Sequence, residues 1–392
     1  MNIVLVELEY RGHHISLYLK SIANEVISRG YSLIIITTLD AKKSGLFSFL
    51  ETKKVKFFYI DKIEYQKTKN IFYLMKFQIN NFFLVKNIFK KIINIYEVNH
   101  VYLNTLDFFD KAIAILGSPF EKIPFSGLYL NPKFYNEELY KFKSNPIKNY
   151  FLQIIFLILV LNKKLINIFL VDKLYEKKLK NKNLFKKKII GVNDFSLLND
   201  NYYFKINNSK KKIILIFGSI KFNKGIYELL NFFKTYTKNN IKILIVGKQN
   251  YDVKLFINNF LYRNPLLKKK ILVINKYFKC DSSYRNYFRR ADYVWVGYSN
   301  NFFGSSGVFF SACKMKKPVI VNSKGLVNWY NKKYKVGYSL NFSSHKSLNL
   351  FFNSIDNGTI KKIDKKKFNF VNRKHSLDNF SKIIADKILA YK

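Results

Sequence analysis

The stretch "YSNNFFGSSGVFFSACKMKKPVIVN", Tyr298–Asn322, decides how this chain is read. An apolar run, Ala291–Tyr298, leads into it with the character of a buried strand. Val308, Phe309, Ala312, Cys313 and Met315 then recur at helical spacing, and Lys317–Asn322 is strand-like again. Gly304-Ser305-Ser306-Gly307 therefore stands at a strand-to-helix turn, where first-turn amides have no partner inside the helix. Gly304 and Gly307 lack the Cβ that would hold a ligand away from the backbone. Ser305 and Ser306 add hydroxyl donors. By its physics the turn is an anion cradle, in a form that purely structural turns share.

The same alternation continues outward. Upstream, "KKIILIFG" (Lys211–Gly218), "IKILIVG" (Ile241–Gly247) and "KILVIN" (Lys270–Asn275) read as strands. Between them Ile226, Leu229, Leu230 and Phe233, then Val253, Phe256, Ile257, Phe260 and Leu261, fall on helical faces. At least five strands spaced by helices predict a doubly wound α/β domain.

The first half follows a looser version of the scheme. Ile3–Glu7, Tyr31–Thr38, Val55–Ile60, His100–Asn104, Ile166–Asp172 and Lys188–Val192 are strand-like, and His14–Arg29 is helical and stopped by Gly30. The predicted fold class is thus α/β, with two Rossmann-like doubly wound domains facing a cleft. The polar, turn-rich segment from Asn193 marks the joint, giving domains 1–193 and 194–375. The tail 376–392 is an amphipathic helix that Ser376 can cap, with Phe380, Ile383, Ile384, Ile388 and Leu389 on one side.

Composition bounds the function. The 392 residues carry 69 Lys+Arg against 25 Asp+Glu, a formal charge of +44. Such a balance favours anionic partners, although the excess lysine also suits an AT-rich coding bias. The basic residues are spread along the chain and form no nucleic-acid arm or motif, so no nucleic-acid partner is expected. Cys280 and Cys313 lie far apart, with no metal-ligand spacing, which suits a reducing cytoplasm. "MNIVLVELEY" reads as a first buried strand rather than a signal peptide. The most apolar run, Phe151–Leu161, is short of a membrane span. A buried helix is expected there, with a helix in the membrane interface as the alternative, because lysines flank it.

In open α/β sheets ligands bind beyond the carboxyl ends of the strands. In "FGSIKFNKGIYELL" Gly218 lets the chain leave the strand, and Lys224-Gly225 open the next helix, a favourable place for a phosphate. A diphosphate bridging this turn and the Gly304–Gly307 turn is a coherent reading. Ser219, Asn275 and Tyr298, also at or after strand ends, join the donor-side set with Val308. In the first half "VELEYRGHHISLY" places Gly12 and His13 at a helix start and Glu7 at the end of the first strand. His13 could act as base or contact phosphate. Glu7 could orient it, take a proton or bond the loop, and Asp107 is a third candidate or a helix cap.

The run "ADYVWVGY…GSSGVFFSACKMKKPVIVNSKGLVNW…KVGYSL" resembles the donor-binding region of glycosyltransferases of the GT-B fold. More narrowly it resembles the bacterial family-four-like (group 1) sugar transferases, with their "SSGV…A…G-K-P-V-I" pattern. "FGSIKFNKGIYELL" is similar to their "G-x-x-x-x-x-K-G" loop and "GHHISLY" to the "GH" after their first strand. The resemblance spans both halves in order and is strongest over Ile213–Leu340. It implies that Lys224 holds the donor diphosphate and that the last helix packs back toward the first domain. Ser219 stands where many relatives have arginine, and Phe303 and Ser311 where many have glutamates. Donor identity and stereochemical course are therefore open.

The resemblance implies a sugar transferase using a nucleotide diphosphate sugar as co-substrate, without a cofactor. No metal is expected either, since no Asp-x-Asp pair stands at a strand end. The implied acceptor is a glycan or lipid-linked glycan in surface polysaccharide synthesis. The implied place is the cytoplasm, in peripheral contact with the acidic inner face of the membrane. The alternatives are a nucleotide-sugar epimerase of the same fold, an inactive transferase-like scaffold and a basic nucleic-acid-binding protein.

Overall fold

The computed structural model describes residues 2–10, 14–50, 55–61, 71–130, 132, 145–181, 183–198, 211–238, 240–278, 282–299 and 304–390. The chain divides into two compact units, Met1–Asn193 with Leu377–Lys392, and Asp194–Ser376.

The first unit is built on a parallel sheet of β1 (Asn2–Glu7), β2 (Ser32–Thr38), β3 (Val55–Ile60), β4 (Val98–Leu103), β5 (Phe125–Tyr129), β6 (Leu165–Leu170) and β7 (Ile189–Gly191), in the order 3-2-1-4-5-6-7. Its longer helices include α1 (Lys20–Ser28), α2 (Ile71–Ile93), α3 (Asp110–Leu116), α4 (Pro146–Leu161) and α5 (Lys173–Lys180). The β5 run "FSGLY" escapes a reading by hydropathy because Ser126 and Gly127 interrupt it. It is nonetheless buried throughout, and a Cβ on Gly127 would already sit 3.0 Å from Leu106 Cβ.

The second unit repeats the plan with β8 (Lys212–Phe217), β9 (Ile241–Val246), β10 (Ile271–Ile274), β11 (Tyr293–Val296), β12 (Val319–Asn322) and β13 (Gly337–Leu340), in the parallel order 10-9-8-11-12-13. It carries α6 (Ile226–Thr235), α7 (Tyr251–Arg263), α8 (Ser282–Arg290), α9 (Gly307–Lys314), α10 (Gly325–Tyr334), α11 (His345–Asp356) and α12 (Lys365–Lys374). Both sheets are the doubly wound α/β arrangement that the strand–helix alternation predicts. Sheet strands buried on both faces read as continuous runs of Ile, Val and Leu, as in "KIILIF" and "IKILIV".

The terminal helix, α13 (Leu377–Leu389), belongs to the first unit and lies against α1. Phe380 meets Tyr18 edge-on with ring centroids 5.3 Å apart, and Arg29 pairs with Asp386 at 2.7 Å. Cys313 is wholly buried in α9, where loss of water pushes its thiol pKa up, so it packs as a small apolar side chain.

The expectation of a buried helix over Phe151–Leu161 needs correction. Asn145 and Pro146 start α4 earlier, the asparagine accepting from Lys148 N at 3.2 Å and the proline at the first helical position. Ile155, Phe156, Leu159 and Val160 are buried, but the opposite face stands in solvent. Among the described residues no helix is long and apolar enough to cross a membrane.

Candidate functional site

In each parallel sheet the order in which the strands are laid down reverses once. In the second unit the reversal falls between β8 and β11, and in the first between β1 and β4. Loops leaving such neighbours diverge and open a crevice beyond the strand ends, the usual ligand site of this topology. The loop after β8 holds Gly218, Ser219, Lys224 and Gly225, and that after β11 holds Tyr298 and Gly304–Gly307. The candidates of the second unit therefore lie mainly at its switch point.

The geometry there is specific. Lys224 Nζ donates to the Phe217 carbonyl at 2.7 Å and stands 5.3 Å from the Tyr298 ring centroid. A Cβ on Gly218 would lie 3.4 Å from Lys224 Nζ and 3.6 Å from Val308 Cγ2. One small space thus gathers an ammonium, a bare Cα and the first turn of α9. Gly225 makes this possible. Its φ is +66°, and a Cβ there would sit 2.3 Å from the Gly297 carbonyl oxygen. Only glycine lets the turn press against the end of β11 and leave Lys224 beside the crevice.

Hydrogen bonds lock the turn. Trp295 Nε1 donates to the Lys224 carbonyl at 3.0 Å, its ring stacked on Phe342 at 4.3 Å. Ser299 N donates to Asn223 O at 2.8 Å. Asn322 Nδ2 donates to Tyr298 O at 3.0 Å, and Tyr298 OH lies 3.0 Å from Ser306 Oγ. Ser306 caps α9 by accepting from Phe309 N. Trp295 and Asn322 read in sequence only as strand residues. Nothing in a period-two pattern shows that their side chains brace a loop.

The remaining candidates fall less simply. Gly307 does not leave room for an anion on its Cα side, because a Cβ there would meet Leu197 Cγ at 2.7 Å. Its missing side chain admits the segment entering the unit. Ser311 faces the same way. Its hydroxyl donates to Gly307 O at 2.8 Å and accepts from Leu197 N at 3.0 Å. Asn275 Oδ1 accepts from Gln249 N at 2.9 Å and joins the ends of β9 and β10. Ser219 is exposed, and Gly304 is half-buried. Phe303 lies outside the described residues. Asn223 Oδ1, Ser305 Oγ and Gln249 Nε2 are shielded from solvent without a hydrogen-bond partner among the described residues. They belong to the loops after β8, β11 and β9. Such orphans are costly unless something else meets them.

In the first unit Glu7, buried at the end of β1, accepts from Asn104 Nδ2, from Thr105 Oγ1 at 2.9 Å and from Glu9 N at 2.7 Å. The carboxylate clamps the loop after β1 to the loop after β4. Asp107 is half-buried and accepts from Leu130 N at 2.8 Å, tying the β4 loop to the end of β5 rather than capping a helix through a bond of its own turn. Nearby, Asp110 is buried and accepts from Gln78, Lys111 and Tyr129. Burial, together with the Asp110 and Asp107 charges, holds the Tyr129 hydroxyl pKa well above its ordinary value. Gly12 and His13 lie outside the described residues.

Two Rossmann-like units of this build, carried by solved proteins along their full length, define the GT-B fold, and the chain has that fold. A glycosyltransferase from Rickettsia africae is 17% identical, with 100% of this chain and 99% of that one covered at a TM-score of 0.65. HepE of Anabaena, solved with UDP, is 13% identical over 100% of both chains at 0.68. WaaG, a glycosyltransferase involved in lipopolysaccharide biosynthesis, is 12% identical over 98% of this chain and 99% of its own at 0.63. No family model and no curated protein matches the chain.

Proposed function

We propose that the chain is a glycosyltransferase that moves a sugar from a nucleoside diphosphate sugar to a hydroxyl group. The observation that carries this reading is the convergence of Lys224, the bare Cα of Gly218 and the start of α9 at the β8/β11 switch point. A diphosphate there would meet an ammonium and outward first-turn amides. As the bond to the sugar breaks, negative charge grows on the leaving diphosphate. The same groups then bind it more strongly than in the ground state, which is what lowers the barrier. Lysine and amides can carry that charge without a metal or other cofactor. Uridine diphosphate is the nucleotide proposed first, since HepE has been solved with UDP and with UDP-glucose.

On the acceptor side the Glu7 clamp would hold the loop that contains Gly12 and His13. His13 would serve as base or phosphate contact, with Asp107 in the loop after β4 of the same unit as a further candidate. A glycan or lipid-linked glycan is the acceptor proposed, in surface polysaccharide synthesis at the inner face of the membrane, where a chain of formal charge +44 meets acidic lipid. The similarity to WaaG supports that direction.

The test is the melting temperature of the full chain against UDP, GDP, ADP and CMP and their sugar conjugates, with Lys224→Ala beside wild type. A nucleotide that binds only the folded state stabilises it by about 2.7 kcal/mol at a hundred times its Kd. The expected result is a shift with UDP or a UDP-sugar that the lysine variant loses. If no nucleoside diphosphate moves the wild-type midpoint, the cradle is only a turn.

A further inference from the structure

The sugar-transfer reading leaves α4 unused. Its large apolar side chains left exposed are Ile147, Tyr150, Phe151, Ile154, Ile158 and Leu161, with Ile147 80% and Tyr150 69% exposed. At 3.6 residues per turn these positions fall within an arc of about 100° and form a stripe about 21 Å long. The opposite side already packs into the unit, so folding does not account for the stripe. Ile115 and Leu116 of α3, which packs beside α4, are exposed as well.

Charge indicates the occupant. α4 has no acidic residue and holds Lys148 near its start, and Lys163 and Lys164 follow its end, all exposed. In α2 every charged residue is a lysine: Lys76, Lys86, Lys90 and Lys91. The one acid of α2, α3 and α4 is Asp110, which is buried and paired with Lys111 at 3.0 Å. A protein partner would have to bring a complementary acidic face and about 800 Å² of matching surface of its own. A bilayer needs no such complementary surface, and an apolar face between basic ends suits a helix lying in its plane.

We propose that α4 lies in the interface of an anionic bilayer, its Ile147–Leu161 stripe among the acyl chains and its flanking lysines at the headgroups. This deepens the peripheral location proposed above, yet it stands on α4 alone. It is therefore tested without donor or acceptor, so its failure leaves sugar transfer untouched.

Because +44 would adhere to acidic lipid anywhere on the surface, the test must separate insertion from adhesion. The full chain is sedimented with phosphatidylcholine vesicles and with phosphatidylcholine–phosphatidylglycerol vesicles at low and high salt. Wild type is expected to prefer the anionic vesicles and to stay bound when salt screens the surface charges. Ile147→Glu combined with Ile158→Glu should lower the high-salt binding about tenfold. In a Tyr150→Trp variant the added indole should shift its emission to the blue on vesicles and be quenched by brominated acyl chains. Melting curves check folding, and if the double variant is unfolded the indole readout decides alone. Complete release of wild type by salt, or an indole that stays in water, overturns the proposal. So does a dimer that the double substitution dissociates while vesicle binding is unchanged, which would make a second copy the occupant.

Discussion

Trp295 Nε1 donates to the Lys224 carbonyl at 3.0 Å, so the side chain of a β11 residue fixes the backbone of the lysine that faces the β8/β11 crevice. The indole is itself held by its stack on Phe342. Trp295→Phe keeps an aromatic ring in the stack and removes the donor. It should cost about 1 kcal/mol of stability, the net worth of an ordinary hydrogen bond. Nucleotide affinity should fall several-fold, because Lys224 then samples more positions. Melting curves and titration calorimetry with UDP check both, and an affinity equal to wild type would mean that the turn holds Lys224 without the indole.

Two glycines with left-handed backbones separate conformation from contact. Gly225 has φ +66° and a neighbour, the Gly297 oxygen, 2.3 Å from the place of a Cβ, whereas Gly358 has φ +71° and nothing within 4 Å. Gly358→Ala should cost only the backbone term, about 1 kcal/mol. Gly225→Ala adds a backbone clash, and should cost about 3 kcal/mol or more while displacing Lys224. Denaturant unfolding of the two variants measures the difference directly. Equal losses would show that the β8 loop can back away from β11.

The Glu7 carboxylate is surrounded by donors, from Asn104, Thr105 and Glu9. Glu7→Gln keeps the shape but brings an NH₂ group against N–H or O–H in either orientation. A buried donor facing a donor should cost about 1–3 kcal/mol. Lower melting with unchanged UDP binding is the expected pair of results. Unchanged melting with lost transfer would instead make Glu7 the proton acceptor.

Acid sensitivity has a named source in His100. Burial pulls its pKa from 6.5 to about 4, and its Nε2 sits 3.0 Å from Ser126 Oγ. The folded chain keeps the ring neutral while the unfolded chain takes up a proton below 6.5. The contribution is thus fully present above pH 6.5 and is lost as pH falls toward 4, by about 3 kcal/mol in all. Stability measured from pH 7 to 4 should fall less steeply in His100→Gln than in wild type, and parallel curves would assign the acid loss to other groups.

Much of the architecture was legible because its signal is local. Runs such as "KIILIF" and "IKILIV", short, rich in β-branched residues and each followed by glycine, read as buried strands, and glycine with lysine after a strand marks a turn into a helix. The resemblance of "GSSGVFFSACKMKKPVIVN" to GT-B donor regions pointed to the fold that the solved structures share with this chain. What lay in single stretches was therefore determined by the sequence itself: two doubly wound sheets, the loops that leave their strand ends, and the place of Lys224 in the loop after β8.

The tertiary structure decided which atoms meet. Gly307 and Ser311 sit in the diagnostic stretch, yet they face Leu197 rather than the crevice. Trp295 and Asn322 look like ordinary strand residues and turn out to brace the site. The face of α4 left in solvent was equally hidden, since a helix apolar on both sides gives the same periodicity whether or not a neighbour covers it. A contact between residues far apart in the chain depends on strand order and on the path of each loop. A local pattern of residue types constrains neither, so it could name the loops but not the direction in which their side chains point.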